Sequence, residues 1–99
     1  MVKEIIWSPL AIETYDSIIE YLLISFGDAT VKKFVEKVND RLKLIATRPK
    51  MFRPTNKHRN TYMTSLQRKV TIIYRYKPYR KQIELVVFWG RQNPQKRPG

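Results

Sequence analysis

The sequence contains no cysteine, and His58 is its only histidine. These absences exclude disulfide bonds and cysteine-based metal sites, and they leave zinc without a second imidazole ligand. Glycine occurs only at positions 27, 90 and 99, so the chain has no glycine-rich phosphate-binding loop. No acidic cluster of the kind that holds catalytic Mg²⁺ is present either. We therefore expect neither a cofactor nor a metal ion.

Long apolar runs are also absent. No stretch of 18 apolar residues occurs, and the N-terminus lacks the apolar run of a signal peptide. We therefore expect a cytoplasmic chain. Its 99 residues suffice for one modest hydrophobic core but not for two. We predict a single domain over residues 1–90, followed by a basic C-terminal tail over residues 91–99.

Acidic residues are scarce in the second part of the chain. Residues 1–40 carry seven acids and four bases, for a net charge of −3 (4 − 7). Residues 41–99 carry sixteen bases, and Glu84 is their only acid, for a net charge of +15 (16 − 1). Repulsion within such a segment opposes compaction, so stability alone does not account for it. The asymmetry favours a polyanionic or acidic partner.

The first half of the chain is predicted to form a strand and two helices. Val2 to Trp7 is short and β-branched, and Ser8-Pro9 is a typical helix start. Apolar residues then recur with helical spacing until Gly27 ends the first helix. Asp28 is expected to cap a second amphipathic helix, which ends before Pro49. The two helices should form an antiparallel hairpin.

The second half is predicted to form three strands after a loop. Residues 49–60 contain two prolines and five basic residues, His58 included, without periodicity, which indicates a loop and the one candidate mobile segment. β-like runs follow at residues 61–66, 70–77 and 82–89. In the last run Ile83, Leu85, Val87 and Trp89 alternate and should share one face.

These elements predict an α+β fold. If the first strand runs up, the first helix down and the second helix up, the next strand runs down, and two hairpins keep the sheet antiparallel. We therefore expect a two-layer sandwich of order β-α-α-β-β-β, with the helix hairpin on one face of an antiparallel sheet.

Conventional hydrolase motifs are missing, which leaves RNA cleavage by basic residues alone as the one enzymatic possibility. In that chemistry an Arg or Lys stabilises the phosphorane charge while a His or Tyr moves the proton. The candidate catalytic residues are Arg91, His58 and Arg68. Tyr74 and Tyr76 lie on the apolar face of their strand and are expected to pack in the core.

Four segments of the chain, in order, resemble the RelE/ParE toxins of bacterial type II toxin-antitoxin modules. They are residues 6–11 (Ile-Trp-Ser-Pro-Leu-Ala), Arg48-Pro49 after the helix hairpin, residues 72–76 (Ile-Ile-Tyr-Arg-Tyr) and residues 88–94 (Phe-Trp-Gly-Arg-Gln-Asn-Pro). The resemblance implies the two-layer fold and a toxin neutralised by a co-expressed antitoxin that wraps it. It leaves the target open, because RelE-like members cut ribosome-bound mRNA and ParE-like members block DNA gyrase.

The nuclease branch of the family fits this chain poorly. RelE nucleases carry an Arg where this chain has Thr71, two lysines where it has Tyr62 and Thr64, and a tyrosine where it has Arg97. These nucleases also carry an arginine at the position of Arg91, and it is the only residue of their catalytic set that this chain retains. The resemblance therefore favours the ParE-like branch.

We favour a non-enzymatic toxin of a plasmid-stabilisation module that inhibits growth by binding DNA gyrase and forms a hetero-oligomer with an acidic antitoxin. The alternative is a ribosome-dependent mRNA endoribonuclease with divergent catalytic residues. A third hypothesis is a nucleic-acid-binding module, which the charge allows although no recognition motif supports it. The residues predicted to bind the target or the antitoxin are Arg53, Lys57, Arg59, Lys69, Arg75, Trp89, Lys96 and Arg97.

Overall fold

A computed structural model describes residues 3–56 and 58–90. The elements are β1 (Glu4–Trp7), α1 (Pro9–Phe26), α2 (Asp28–Thr47), β2 (Arg53–Pro54), β3 (Thr61–Leu66), β4 (Val70–Lys77) and β5 (Gln82–Gly90), with a 3₁₀ turn at Pro78–Arg80. The strands form one sheet of order β1-β5-β4-β3-β2, and the helices pack on one of its faces. The predicted α+β sandwich is confirmed, with one strand more than the sequence indicated.

The helix boundaries follow from local capping. The hydroxyl oxygen of Ser8 accepts a hydrogen bond from the Ala11 N–H at 3.0 Å, and Pro9 occupies the first turn of α1. Gly27, at φ +93°, ends α1 and donates its N–H to the carbonyls of Leu22 and Leu23. Asp28 was expected to cap α2, but it is the first residue of that helix and its side chain makes no capping hydrogen bond.

The sheet is mixed rather than wholly antiparallel, which corrects the predicted strand directions. β1 pairs in parallel with β5, whereas the pairs β5–β4, β4–β3 and β3–β2 are antiparallel. The reason is that α2 ends beside the start of β1, where the Lys3 N–H donates to the Ala46 carbonyl at 3.0 Å. The chain therefore re-enters the sheet at the end where β1 began, and β3 runs in the same sense as β1.

Two hydroxyl side chains close the edge of β5 that β1 does not reach. β1 pairs with β5 only as far as Leu85. Beyond that point the Ser8 hydroxyl donates to the Val86 carbonyl at 2.9 Å, and the Phe88 N–H donates to the Thr14 hydroxyl oxygen at 2.9 Å. These bonds fix α1 across the sheet and satisfy peptide groups that would otherwise be buried without partners.

A bulge in β5 changes which side chains enter the core. Ile73 pairs with Val87 but Tyr74 pairs with Leu85, so Val86 is the extra residue. Phe88 therefore faces the helices and stacks on Trp7 with ring centroids 5.2 Å apart. The prediction that Val87 and Trp89 share a face with Leu85 is wrong, because the alternation of the strand shifts by one residue at the bulge.

The loop after α2 is partly ordered by contacts with the core. Pro49 is buried, and its carbonyl accepts a hydrogen bond of 2.6 Å from the Tyr74 hydroxyl. The Phe52 ring lies 5.3 Å from the guanidinium of Arg41, which also donates to Thr64 and to the Ser65 carbonyl. The segment expected to be a mobile loop thus contains β2 and is attached to both layers.

Candidate functional site

A groove of about 440 Å³ lies between α1, α2 and the turn that joins β3 to β4. Its floor is apolar and is formed by residues from α1, α2, the end of β3 and the start of β4, which include Ile18, Leu22, Phe34, Leu66 and Val70. Tyr21 and Phe26, near the end of α1, line the groove as well and are 44% and 61% exposed. The volume is typical of a ligand site. We call this site the α1–α2 groove.

Three lysines border the α1–α2 groove. Lys33 and Lys37 lie one turn apart on α2, and Lys69 lies across from them in the β3–β4 turn, directly before β4. No acidic residue is among the described residues that line it. An apolar floor with a positive rim suits a segment that is apolar on one side and acidic on the other.

The β3–β4 turn that forms one wall of the groove has an unusual backbone. Gln67 and Arg68 both adopt positive φ angles, of 52° and 62°. The turn is closed by a hydrogen bond of 3.0 Å from the Lys69 N–H to the Leu66 carbonyl. Residues other than glycine adopt this backbone conformation at a cost of about 1 kcal/mol per residue or more. The tight turn places Lys69 at the rim of the groove and directs the exposed Arg68 to solvent.

Tyr74 is held in a neutral, structural role. Its side chain is fully buried and its ring stacks on that of Tyr62 with centroids 5.6 Å apart. Burial first, and the neighbouring Tyr62 second, raise the pKa of Tyr74 well above the usual value of 10.0. The hydroxyl therefore stays protonated at neutral pH and donates to Pro49. This confirms the prediction that Tyr74 packs in the core, and Tyr76 packs against the same core.

The face of the sheet opposite the helices carries little charge at its centre. Because Ile72 and Tyr74 face the helices, Ile73 and its cross-strand partners Met63 and Val87 lie on the other face. The next pair along β3 and β4 is Ser65 and Thr71, whose hydroxyl oxygens are 3.4 Å apart. Cationic side chains flank this centre: Arg53 lies opposite Met63 at the β2 edge, and Arg75 lies toward the Thr61 end of the face.

Arg75 and its neighbours form a small polar network at that end of the face. The Arg75 Nε donates to the Thr61 hydroxyl at 3.4 Å, and Arg75 lies across the strand pair from Glu84. Glu84 also forms an ion pair with Lys77 at 3.6 Å. Arg75, a predicted binding residue, is thus half-buried and already has polar neighbours.

The structure separates two of the candidate catalytic residues. His58 and Arg68 are both exposed, but they lie beyond opposite ends of β3. A six-residue strand spans about 20 Å, so the two side chains do not reach the same phosphate. Arg91, the third candidate, lies outside the described residues.

The remaining predicted binding residues are dispersed in the same way. Arg53 on β2 and Arg59 in the following loop are exposed near the Thr61 end of β3. Trp89, half-buried, lies opposite Thr71 near the other end. Of the predicted binding residues that the structure describes, only Lys69 lines the α1–α2 groove. Three further predicted residues, Lys57, Lys96 and Arg97, lie outside the described residues.

Sequence reasoning missed the groove-lining residues of the helices. Lys33 and Lys37 did not appear among the predicted binding residues, although their spacing of four residues places both on one side of α2. The available signal was the end of α1, where Tyr21 and Phe26 add exposed apolar surface that the core does not use. When a helix exposes apolar side chains in addition to those that it buries in the core, the exposed ones indicate a second binding surface.

The described part of the chain contains neither a clustered metal-binding site nor a membrane-spanning helix. Among residues 3–56 and 58–90, no three His, Cys, Asp or Glu side chains gather into a possible metal site. Neither helix within these ranges has the length and apolar character needed to cross a membrane.

Comparison with known proteins identifies relatives of the chain. The family model of the ParE toxin of the type II toxin-antitoxin system parDE matches residues 5–93. The chromosomal ParDE toxin-antitoxin system of P. aeruginosa contains a chain of similar fold, with a TM-score of 0.73 at 15% identity, covering 90% of this chain and 96% of that one. A double arginine-to-alanine variant of the E. coli toxin RelE in the free state is also similar, with a TM-score of 0.68 at 9% identity, covering 96% of this chain and 90% of that one. No curated protein matches the sequence.

Proposed function

Because the chain belongs to the ParE toxin family of type II toxin-antitoxin systems, we propose that it inhibits growth by binding DNA gyrase, without cleaving RNA, and that an acidic antitoxin neutralises it. The chain is a toxin of this family, and such toxins pair with cognate antitoxins. The proposal goes beyond family membership in three respects: the target, the absence of nuclease activity and the binding site of the antitoxin.

One observation supports a mechanism without RNA cleavage. The positions at which RelE nucleases carry two lysines are held here by Tyr62 and Thr64, and both side chains are engaged on the helix side of the sheet. Tyr62 stacks on Tyr74, and Thr64 accepts a hydrogen bond from Arg41 of α2. A base-only nuclease needs several cations around one phosphate. The candidates His58 and Arg68, at opposite ends of β3, do not replace them.

The α1–α2 groove supports the role of the antitoxin. Lys33, Lys37 and Lys69 border an apolar floor, so an antitoxin segment with acidic side chains flanking apolar ones is complementary to it in both charge and polarity. The apolar side chains would supply most of the binding free energy by burial, and the carboxylates would set orientation and association rate. Neutralisation of the toxin is then expected to depend on the ionic strength.

A two-part experiment tests the target. The purified chain is added to a gyrase supercoiling assay, and cells that express it are examined for cleaved transcripts by primer extension. We expect loss of supercoiling with intact transcripts. The double variant His58→Ala/Arg68→Ala removes two nuclease candidates and is expected to remain toxic. Ribosome-dependent cleavage of transcripts while gyrase stays active would contradict the proposal and support the endoribonuclease alternative.

Charge reversal at the groove tests the antitoxin site. The variant Lys33→Glu/Lys37→Glu is expected to lower the affinity for the cognate antitoxin by tenfold or more, about 1.4 kcal/mol or more, because two interfacial ion pairs become repulsive. The matched control is Lys32→Glu/Lys43→Glu, which makes the same charge change on exposed positions of α2 outside the groove. Calorimetric titration measures both. Equal weakening by the two variants would place the antitoxin elsewhere.

A further inference from the structure

Four segments that are distant in sequence converge at one end of the molecule. The Lys3 N–H donates to the Ala46 carbonyl at 3.0 Å, which joins the start of β1 to the end of α2. The Glu4 N–H donates to the Lys81 carbonyl at 3.1 Å, which adds the β4–β5 turn. The Tyr76 N–H donates to the Asn60 carbonyl at 2.8 Å, which adds the β2–β3 loop. We call residues 3–4, 46–50, 58–60 and 76–81 the cationic end.

The cationic end has a large excess of positive charge. Its segments contain seven Lys or Arg residues and one acid, a net charge of +6 (7 − 1). The bases are Lys3, Arg48, Lys50, Arg59, Lys77, Arg80 and Lys81. Glu84, which lies outside these segments, pairs with Lys77 and so offsets one of the seven bases. Glu4 is already included in the count, and its carboxylate accepts a hydrogen bond from Gln82 at 3.0 Å.

Stability explains only a part of this charge. Arg48 directly follows α2 and Lys50 is close by. Cations at these positions are stabilised by the negative end of the helix dipole. Lys3 lies over the Tyr76 ring at 5.9 Å, a weak cation–π contact. Arg59, Arg80 and Lys81 have no such explanation. All three are exposed, and collecting them beside other cations raises the electrostatic free energy of the folded chain.

Tyr79 projects from the middle of this charge without packing on anything. It lies in the 3₁₀ turn between Lys77 and the pair Arg80-Lys81 and is 101% exposed. The turn is closed by a hydrogen bond of 3.3 Å from the Lys81 N–H to the Pro78 carbonyl, with Lys81 at φ 52°. Pro78 and this bond hold the turn in shape, so that the ring is presented from a defined backbone.

We propose that the cationic end binds single-stranded nucleic acid, with phosphates contacted by Arg59, Arg80 and Lys81 and one unpaired base stacked on Tyr79. Base stacking on an aromatic ring beside phosphate-binding cations is the common arrangement for single strands. An acidic protein partner would need an apolar interface core of several residues. Within the described segments of this end, Tyr79 is the only large apolar side chain that is exposed. The inference goes beyond the proposed function and does not depend on the identity of the target.

Fluorescence anisotropy with the purified full chain tests the proposal. The probes are a labelled 12-nucleotide single strand, a duplex of the same length and a glutamate-rich peptide of matched charge. We expect the single strand to bind more tightly than the peptide, with an affinity that falls steeply as salt rises. Arg80→Glu/Lys81→Glu should weaken binding of the single strand by tenfold or more. Tyr79→Ala should weaken it about tenfold while leaving the duplex unaffected.

The matched control is Lys32→Glu/Arg68→Glu, which makes the same change of charge at exposed positions away from the cationic end. Lys32 precedes Ala46 by fourteen helical residues, about 21 Å along α2, and Arg68 is in the β3–β4 turn. It should change the affinity less than threefold. Circular dichroism confirms that each variant is folded. Equal loss in the control, tighter binding of the peptide than of the single strand, or full affinity in Tyr79→Ala would each overturn the proposal.

Discussion

The hydroxyl of Tyr74, on a central strand, donates a buried hydrogen bond of 2.6 Å to the carbonyl oxygen of Pro49, 25 residues earlier in the chain. It is one of the contacts that attach the segment after α2 to the core, together with the pairing of β2 and the packing of Phe52. The bond satisfies a carbonyl that cannot reach water, and the ring fills space between Phe52 and Tyr62. The Tyr74 hydroxyl should therefore contribute measurably to the stability of the chain.

Replacing Tyr74 with Phe tests that dependence. The Tyr74→Phe variant keeps the ring but leaves the Pro49 carbonyl buried without a donor, so we expect the free energy of unfolding to fall by about 1 to 3 kcal/mol. Urea denaturation measures the change. Tyr79→Phe removes the same oxygen from a fully exposed ring and should change the free energy by less than about 0.5 kcal/mol. Equal effects in the two variants would show that the bond contributes nothing.

The raised pKa of Tyr74 predicts a loss of stability in alkali. A tyrosine whose pKa is higher in the folded than in the unfolded chain binds its proton more tightly when folded. Its contribution is fully present below pH 10.0 and declines as pH rises above that value, by up to about 1.4 kcal/mol per pH unit. Unfolding free energies of the native chain and of Tyr74→Phe, measured from pH 8 to pH 11, should converge at the alkaline end. A constant difference would contradict the assignment.

Thr14 is expected to be sensitive to loss of its hydroxyl. This side chain is buried, donates to the Leu10 carbonyl at 2.7 Å and accepts from the Phe88 N–H at 2.9 Å. Thr14→Val keeps the shape but leaves the Phe88 N–H unpaired, which should cost about 1 to 3 kcal/mol of unfolding free energy. Thr14→Ser keeps the hydroxyl and loses a methyl group, at about 1 kcal/mol. Thermal denaturation of both variants separates the hydrogen bond from packing.

The β3–β4 turn offers a stabilising substitution. Arg68 has a φ of 62°, a conformation that glycine adopts without steric cost. Arg68→Gly should raise the free energy of unfolding by about 0.5 to 1 kcal/mol, after the greater chain entropy of glycine is subtracted. Lys69→Gly, one residue later and without a positive φ, should lower it by about 0.5 to 1 kcal/mol. Opposite signs in thermal denaturation support the assigned turn, and equal signs would contradict it.

The elements themselves could be predicted from local patterns in the sequence. The start of α1 at Pro9, its end before Gly27 and the bounds of β3 and β4 match the structure because capping, glycine and alternation act over a few residues. The parallel pairing of β1 could not be predicted in this way. It depends on the contact between Lys3 and Ala46, which lie 43 residues apart in the chain.

The sites were harder to predict for the same physical reason. The bulge at Val86 occurs where β5 exchanges β1 for α1 as its neighbour, and alternation within β5 alone does not indicate it. The α1–α2 groove requires Lys69 to lie across from Lys33, which only the packing of two layers produces. Charge asymmetry was visible in the sequence, but its division between the groove and the cationic end was not.

The hydroxyls of Ser8 and Thr14 have a consequence for the behaviour of the chain at high concentration. A long strand edge with free peptide groups pairs readily with other chains and starts aggregation. Here the Val86 carbonyl and the Phe88 N–H, in the second half of β5, are not available to another chain, because the hydroxyls of Ser8 and Thr14 already bond to them. Among the described strands, the outer edges of the sheet belong to β1, with four residues, and β2, with two. Edges this short give intermolecular sheets little to grow from.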